Sequence, residues 1–132
     1  MKVSFDFDST LDNEKIQEYA KELIEQGIDV HVVTSRVPET DPSLELVSSD
    51  WNDDMYAICD KLGILKENIH FTKYVDKFKY FRIHQDFLWH MDDDDIEMHL
   101  INKFTNTIGL FTYSIYFREE GNKLIEDAKK GL

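Results

Sequence analysis

The stretch VSFDFDSTLD, residues 3–12, is a short β-favouring run that ends on two carboxylates one residue apart. An unpaired charge at the end of a buried strand is costly, because burial strips its water without replacing it. Asp6 and Asp8 therefore require something positive nearby, and the rest of the chain has to supply it.

Downstream, helical and extended patterns alternate. Ile16, Tyr19, Ala20, Leu23 and Ile24 recur at helical spacing, and Gly27 ends that helix. DVHVVTSR (29–36) is β-branched and apolar up to Thr34, which marks its polar end. Residues 37–50, VPETDPSLELVSSD, hold both prolines and read as an irregular surface excursion, with the acids from Glu45 to Asp54 as a solvated rim. Trp51, Met55, Ile58, Cys59 and Leu62 then share one helical face closed by Gly63. IHFT (69–72) is a short strand. VDKFKYFRIH (75–84) is a helix with Val75, Phe78, Phe81 and the stem of Arg82 inward. FLWHM (87–91) is a strand that runs into four aspartates, followed by a helix on Ile96, Leu100, Ile101 and Phe104. A strand over 107–113 and a terminal helix on Leu124, Ile125 and Ala128 complete the pattern.

Five strands separated by helices predict an α/β chain: a three-layer, Rossmann-like fold with a mostly parallel sheet of about five strands and helices on both faces. Crossovers of one hand put every strand's C-terminal end on the same edge, where sites form in such sheets. The polar residues collect at that edge. Asp6 and Asp8 follow the first strand, Thr34, Ser35 and Arg36 the second, Thr72 and Lys73 the third, and Asp92 to Asp95 the fourth.

The 132 residues suit one domain spanning 1–132. With 27 acidic against 15 basic residues the net charge is −12, which opposes non-specific binding to nucleic acid or to an anionic membrane. A local site for a nucleic-acid end is not excluded by that field. The single cysteine, Cys59, allows no internal disulfide and belongs to an apolar helical face. No run of 18 apolar residues and no signal-peptide pattern is present, so a cytoplasmic protein is expected.

Four or more carboxylates in one crevice repel one another, and their reference pKa near 4 leaves protons an incomplete remedy at neutral pH. A hard divalent cation solves the problem, and Mg2+ prefers oxygen ligands. The five scattered histidines and Cys59 offer no zinc spacing. With a phosphomonoester as substrate, Asp6 can attack phosphorus and form an aspartyl-phosphate. Asp8 can protonate the leaving alcohol and later deprotonate water. Thr34 can hold a phosphoryl oxygen, a lysine can neutralise shared charge, and Asp92 and Asp93 would hold Mg2+ with Asp6 and the carbonyl of Asp8.

DFDSTL (6–11), VVTSR (32–36), a lysine near the third helix and FLWHMDDDD (87–95) stand in the order and approximate spacing of the four motifs of the haloacid dehalogenase-like phosphatases. The chain resembles that superfamily over roughly residues 3–113. The resemblance implies Asp6 as nucleophile, Asp8 as acid/base, Thr10 at the conserved turn position, Thr34 in the second motif, and Asp92 and Asp93 as the acidic pair. Ser9 stands where many members have glycine. The third motif is looser: Lys77 is favoured as its lysine, and Lys73 is the rival. One helix consumes most of the segment between Leu11 and the second strand, and the 37–50 excursion is too short for a folded cap. The sequence therefore looks like the capless class, with no substantial cap.

Thr34-Ser35-Arg36 is similar to the strand end of polynucleotide 3'-phosphatase domains, where the arginine can face a substrate phosphate. On that likeness Arg36 is a candidate for substrate binding, with an ordinary surface ion pair as the alternative; Ser35, Thr10 and Lys73 are further substrate-binding candidates. The partner implied is a phosphorylated small molecule or a macromolecular phosphate end. The competing function is a non-catalytic phosphate- or protein-binding module on the same fold, against which the intact Asp6 and Asp8 pair argues. Trp51, Trp89 and the Tyr80-Phe81 string are read as packing, not base-stacking, residues, and His90 as a packed histidine or an orienter of Asp92.

Overall fold

The computed structural model describes residues 1–42 and 49–131. Residues 43–48, which include Glu45 of the acidic rim and the centre of the 37–50 excursion, lie outside the described residues.

Strand β1 (Lys2–Phe5) is followed by a wide turn over 7–11, helix α1 (Glu14–Glu25) and strand β2 (Asp29–Thr34). Then come α2 (Asp53–Leu62), β3 (Ile69–Phe71), α3 (Lys77–Ile83), β4 (Phe87–Asp92), α4 (Asp95–Phe104), β5 (Ile108–Phe111) and α5 (Phe117–Lys130). The helix ends follow local chemistry. Asn13 accepts a hydrogen bond from the Lys15 N–H at the start of α1, and Asp94 accepts from the Ile96 and Glu97 N–H groups at the start of α4. Gly63 closes α2 in the left-handed region at φ +88°, a conformation that costs other residues a Cβ clash.

The five strands form one parallel sheet in the order β3-β2-β1-β4-β5. The chain builds outward from β1 to β3 on one side, then returns past β1 to lay down β4 and β5 on the other. With crossovers of a single hand, that reversal moves the connecting helices to the opposite face. The packing agrees. One core joins Val3, Phe5, Val32, Trp89 and Met91 to Ile16, Tyr19, Leu23 of α1, Met55, Cys59 of α2 and Ile125 of α5. A second, smaller core joins Val33 and Phe87 to Phe81 of α3 and Ile101 of α4. The result is three layers with helices on both faces and, among the described residues, no large cap. No described helix is long and apolar enough to cross a membrane.

Central position explains the near-continuous apolar face of β1: Val3 pairs with Val30 on one side and Trp89 on the other, and both Val3 and Phe5 are fully buried. Register slips between Lys2 and Val3 against β4, which puts Phe87 into the second core while Trp89 and Met91 face the first.

Several expectations are corrected. Trp51 was expected in the core but is 41% exposed, because α2 begins only at Asp53 and the indole lies outside the helical face. Val75, Ile96 and Phe104 are exposed too: Val75 precedes α3, while Ile96 and Phe104 occupy the terminal turns of α4, where the sheet no longer covers the helix. The Arg82 stem is exposed as well, since α3 has only two turns and presents Phe81 to the sheet. Trp89 and Cys59 are buried as expected.

Candidate metal centre and active-site cleft

The reversal of strand order falls between β1 and β4, and the carboxylates follow their C-terminal ends. Such a switch point opens a crevice because the neighbouring connections leave it on opposite faces. The Asp6 N–H donates to the Met91 carbonyl at 2.8 Å, which ties the end of β1 to β4. Asp6, Asp92 and Asp93 each place one carboxylate oxygen within 4.8 Å of the other two, with Asp6 and Asp92 buried.

Lys77, in the first turn of α3, lies between them. Its Nζ is 2.8 Å from Asp6 Oδ1 and donates to Asp92 Oδ2 at 2.6 Å. His90, fully buried, links Asp92 Oδ2 at 2.9 Å to the Ser4 hydroxyl at 2.8 Å. Lys77, favoured over Lys73 by the sequence, stands at the carboxylates, whereas Lys73 pairs with Asp41 at 3.0 Å.

The electrostatics are uneven. Burial works to raise Asp92, but hydrogen bonds and charge from His90 and Lys77 outweigh it and hold the group well below the usual carboxylate range. Asp6 is pushed up to about 8, first by burial, with Asp92 adding repulsion and Lys77 opposing. Burial also raises Asp93, which shares a hydrogen bond with Asp6. Burial alone would lower Lys77, but Asp6 and Asp92 keep it raised and charged. Lys77 thus pairs with two of the three carboxylates, and the negative charge it leaves uncompensated favours the protonated forms of Asp6 and Asp93. A divalent cation would neutralise that charge while leaving Asp6 ionised. An all-oxygen, carboxylate donor set of this size fits Mg2+.

The carboxylates floor a cleft of about 300 Å³, whose wall includes Asp8, Ser9, Ser35, Tyr74, Val75, Asp76, Asp94 and Glu97. Asp8 projects from the turn after β1, which the Leu11 N–H closes on the Asp6 carbonyl at 3.1 Å. Ser9 sits in the left-handed region at φ 59°, ψ 19°, which is why this position favours glycine. Thr34, expected to hold a phosphoryl oxygen, is fully buried, its hydroxyl accepts the Arg36 N–H at 3.2 Å, and it is not part of the cleft wall. Thr10 is buried too, hydrogen-bonded to the Thr112 hydroxyl at 2.8 Å, and is not part of the cleft wall. Arg36 pairs with both Asp8 and Asp54.

The cleft residues that the sequence did not flag are Tyr74, Asp76 and Glu97. Lys73 and Tyr74 take left-handed backbone conformations in succession, φ 56° and 63°, and turn the chain over the cleft after β3. Neither residue type favours that conformation, so no local signal announces it. Glu97 reaches back to accept the Phe78 N–H at 3.0 Å, a pairing across two helices that periodicity cannot forecast.

No protein-family model and no curated protein matches the chain.

Proposed function

We propose that the protein is a Mg2+-dependent phosphomonoester hydrolase of the haloacid dehalogenase-like type, one domain over 1–132, acting through an aspartyl-phosphate on Asp6. The observation that carries the reading is the convergence of Asp6, Asp92 and Asp93 on one point beside Lys77, at the switch point of a parallel sheet. Asp6, Asp92, Asp93 and the Asp8 carbonyl would hold the cation, which supplies positive charge against the carboxylates and the phosphoryl oxygens.

Asp6 attacks phosphorus in line; the Asp6 O–P bond forms as the ester P–O bond breaks, and the leaving oxygen takes the electron pair with a proton from Asp8. Water then attacks the aspartyl-phosphate and gives a proton to Asp8, and the Asp6 O–P bond breaks to release phosphate. Lys77 neutralises the charge that Asp6 shares with the phosphoryl group, and Ser35, on the cleft wall just after β2, binds its oxygens. Asp76, Asp94 and Glu97 along the cleft oppose a polyanionic strand, so a small phosphorylated molecule is favoured over a nucleic-acid end.

The test is hydrolysis of a panel of nucleoside monophosphates, sugar phosphates, phosphopeptides and 3'-phosphorylated oligonucleotides, with Mg2+ and with chelator. Turnover should require Mg2+ and fall at least ~1,000-fold in Asp6→Asn, with the circular dichroism spectrum unchanged. Purified protein inert to the whole panel, yet binding a phosphate or a protein, would favour the non-catalytic module instead.

A further inference from the structure

Arg36 is a sequence candidate for binding a substrate phosphate, but its surroundings leave little of it for that task. Its Nε and Nη2 donate to Asp8 Oδ2 and Oδ1 at 3.0 and 2.8 Å. Its Nη1 and Nη2 donate to Asp54 Oδ1 and Oδ2 at 2.7 and 2.9 Å. A guanidinium has five N–H groups, so these four bonds leave one. Two rings also pack against it: the Phe7 ring centroid is 4.9 Å from the guanidinium carbon, and that of Trp51 is 5.5 Å away. A phosphate held by paired N–H bonds would have to displace one carboxylate.

Asp8 differs from its partner. The Asp8 side chain is 54% exposed and stands on a turn, whereas that of Arg36 is 11% exposed and is held by two carboxylates. An exposed carboxylate on a turn samples several rotamers; two parallel hydrogen bonds from a fixed fork select one plane and one direction. Asp54 belongs to the first turn of α2, so the fork is anchored to a helix, and the Arg36 hydrogen bonds hold the Asp54 carboxyl below its ordinary range. Trp51, exposed where apolar patterning places it in the core, covers the guanidinium and keeps water from competing for it.

We propose that Arg36, anchored by Asp54 and packed against Phe7 and Trp51, is a positioning residue that fixes the Asp8 carboxyl at the cleft wall for proton transfer to the leaving oxygen, and is not a ligand of the substrate phosphate. The proposal rests on the phosphatase reading, because it takes from it the proton transfer at Asp8. The group that suffers when Asp8 is misaligned is a leaving alkoxide that needs a proton. A nitrophenolate departs without one.

The experiment compares kcat for benzyl phosphate and p-nitrophenyl phosphate in the wild type, Asp54→Asn and Arg36→Lys, with inorganic phosphate as competitive inhibitor. In both variants the benzyl-to-nitrophenyl ratio should fall at least ~10-fold, within the range a general acid contributes. Lysine should not rescue, because a point charge cannot grip two carboxylates in parallel. Inhibition by inorganic phosphate should shift less than ~3-fold. Independently of turnover, the Arg36 Nε–H should exchange with water at least ~10-fold more slowly than that of exposed Arg82, and Asp54→Asn should remove the difference.

An active enzyme with an unchanged ratio overturns the positioning role alone, as does a phosphate inhibition constant weakened ~10-fold or more. Exchange at Arg36 as fast as at Arg82 also overturns it. Wild-type protein inert to both substrates, even with slow Arg36 exchange, overturns the phosphatase reading and with it the role of Asp8.

Discussion

Asp6→Asn should change how stability depends on pH when no metal is present. The Asp6 carboxyl releases its proton near 4 in the unfolded chain and near 8 in the fold, where burial and Asp92 disfavour its charge. A folded pKa above the unfolded one means that, between those values, the folded state holds a proton that the unfolded state has lost. Stability from this group is therefore fully present below pH ~4 and is lost as pH rises, at about 1.4 kcal/mol per pH unit. From pH 5 to pH 7 the loss amounts to ~3 kcal/mol. Asparagine keeps the shape of the side chain and removes its titration, so the difference between wild type and variant reports Asp6 together with the carboxylates whose titration it influences, Asp92 and Asp93. His70, depressed to about 4 mainly by burial, titrates alike in both proteins and cancels. Urea unfolding in chelator at pH 5, 6 and 7 provides the assay. At a slope of about 2 kcal/mol per molar urea, the wild-type midpoint should fall relative to that of Asp6→Asn by on the order of 1 M or more. Saturating Mg2+ should flatten the wild-type dependence, because the cation favours ionised Asp6. Parallel pH profiles for the two proteins in chelator would refute the reasoning.

Three further outcomes are expected. Lys77→Met leaves Asp6 and Asp92 without their shared cation, so unfolding in chelator should show a loss of about 3–5 kcal/mol, part of which Mg2+ restores. Gly121→Ala puts a Cβ against the Tyr19 hydroxyl and 3.2 Å from the Trp89 ring, and should cost about 1–3 kcal/mol in urea unfolding with an altered near-ultraviolet spectrum. Ser9→Gly relieves a left-handed backbone and should raise stability by about 0.5–1 kcal/mol in the same assay.

Much of the site was legible because its chemistry is attached to strand ends, and strands announce themselves locally. Asp6 and Asp92 each follow an apolar run, so their placement at the sheet edge follows once the strands are parallel. Lys77 and Lys73 could not be separated in this way. They stand on either side of a short turn, and it is the tertiary packing of α3 that brings the Lys77 ammonium to the carboxylates while Lys73 pairs with Asp41. Trp51 shows the converse error: it fits the helical period of α2, but a residue before the first helical turn is not bound by that period. Arg36 was read as open to substrate because its partner Asp54 lies 18 residues away and no periodicity links them.

The amino-acid order alone determined the alternation of strands and helices, a mostly parallel sheet and the gathering of acids at one rim, since each follows from hydrophobic spacing over a few residues and from the crossovers it implies. Tertiary structure alone decided that β4 lies against β1, that Lys77 enters the acidic cluster, and that Arg36 is held between two carboxylates and two rings. Those contacts join residues far apart in the chain, and their energies depend on burial and on direction, which exist only once the layers have packed.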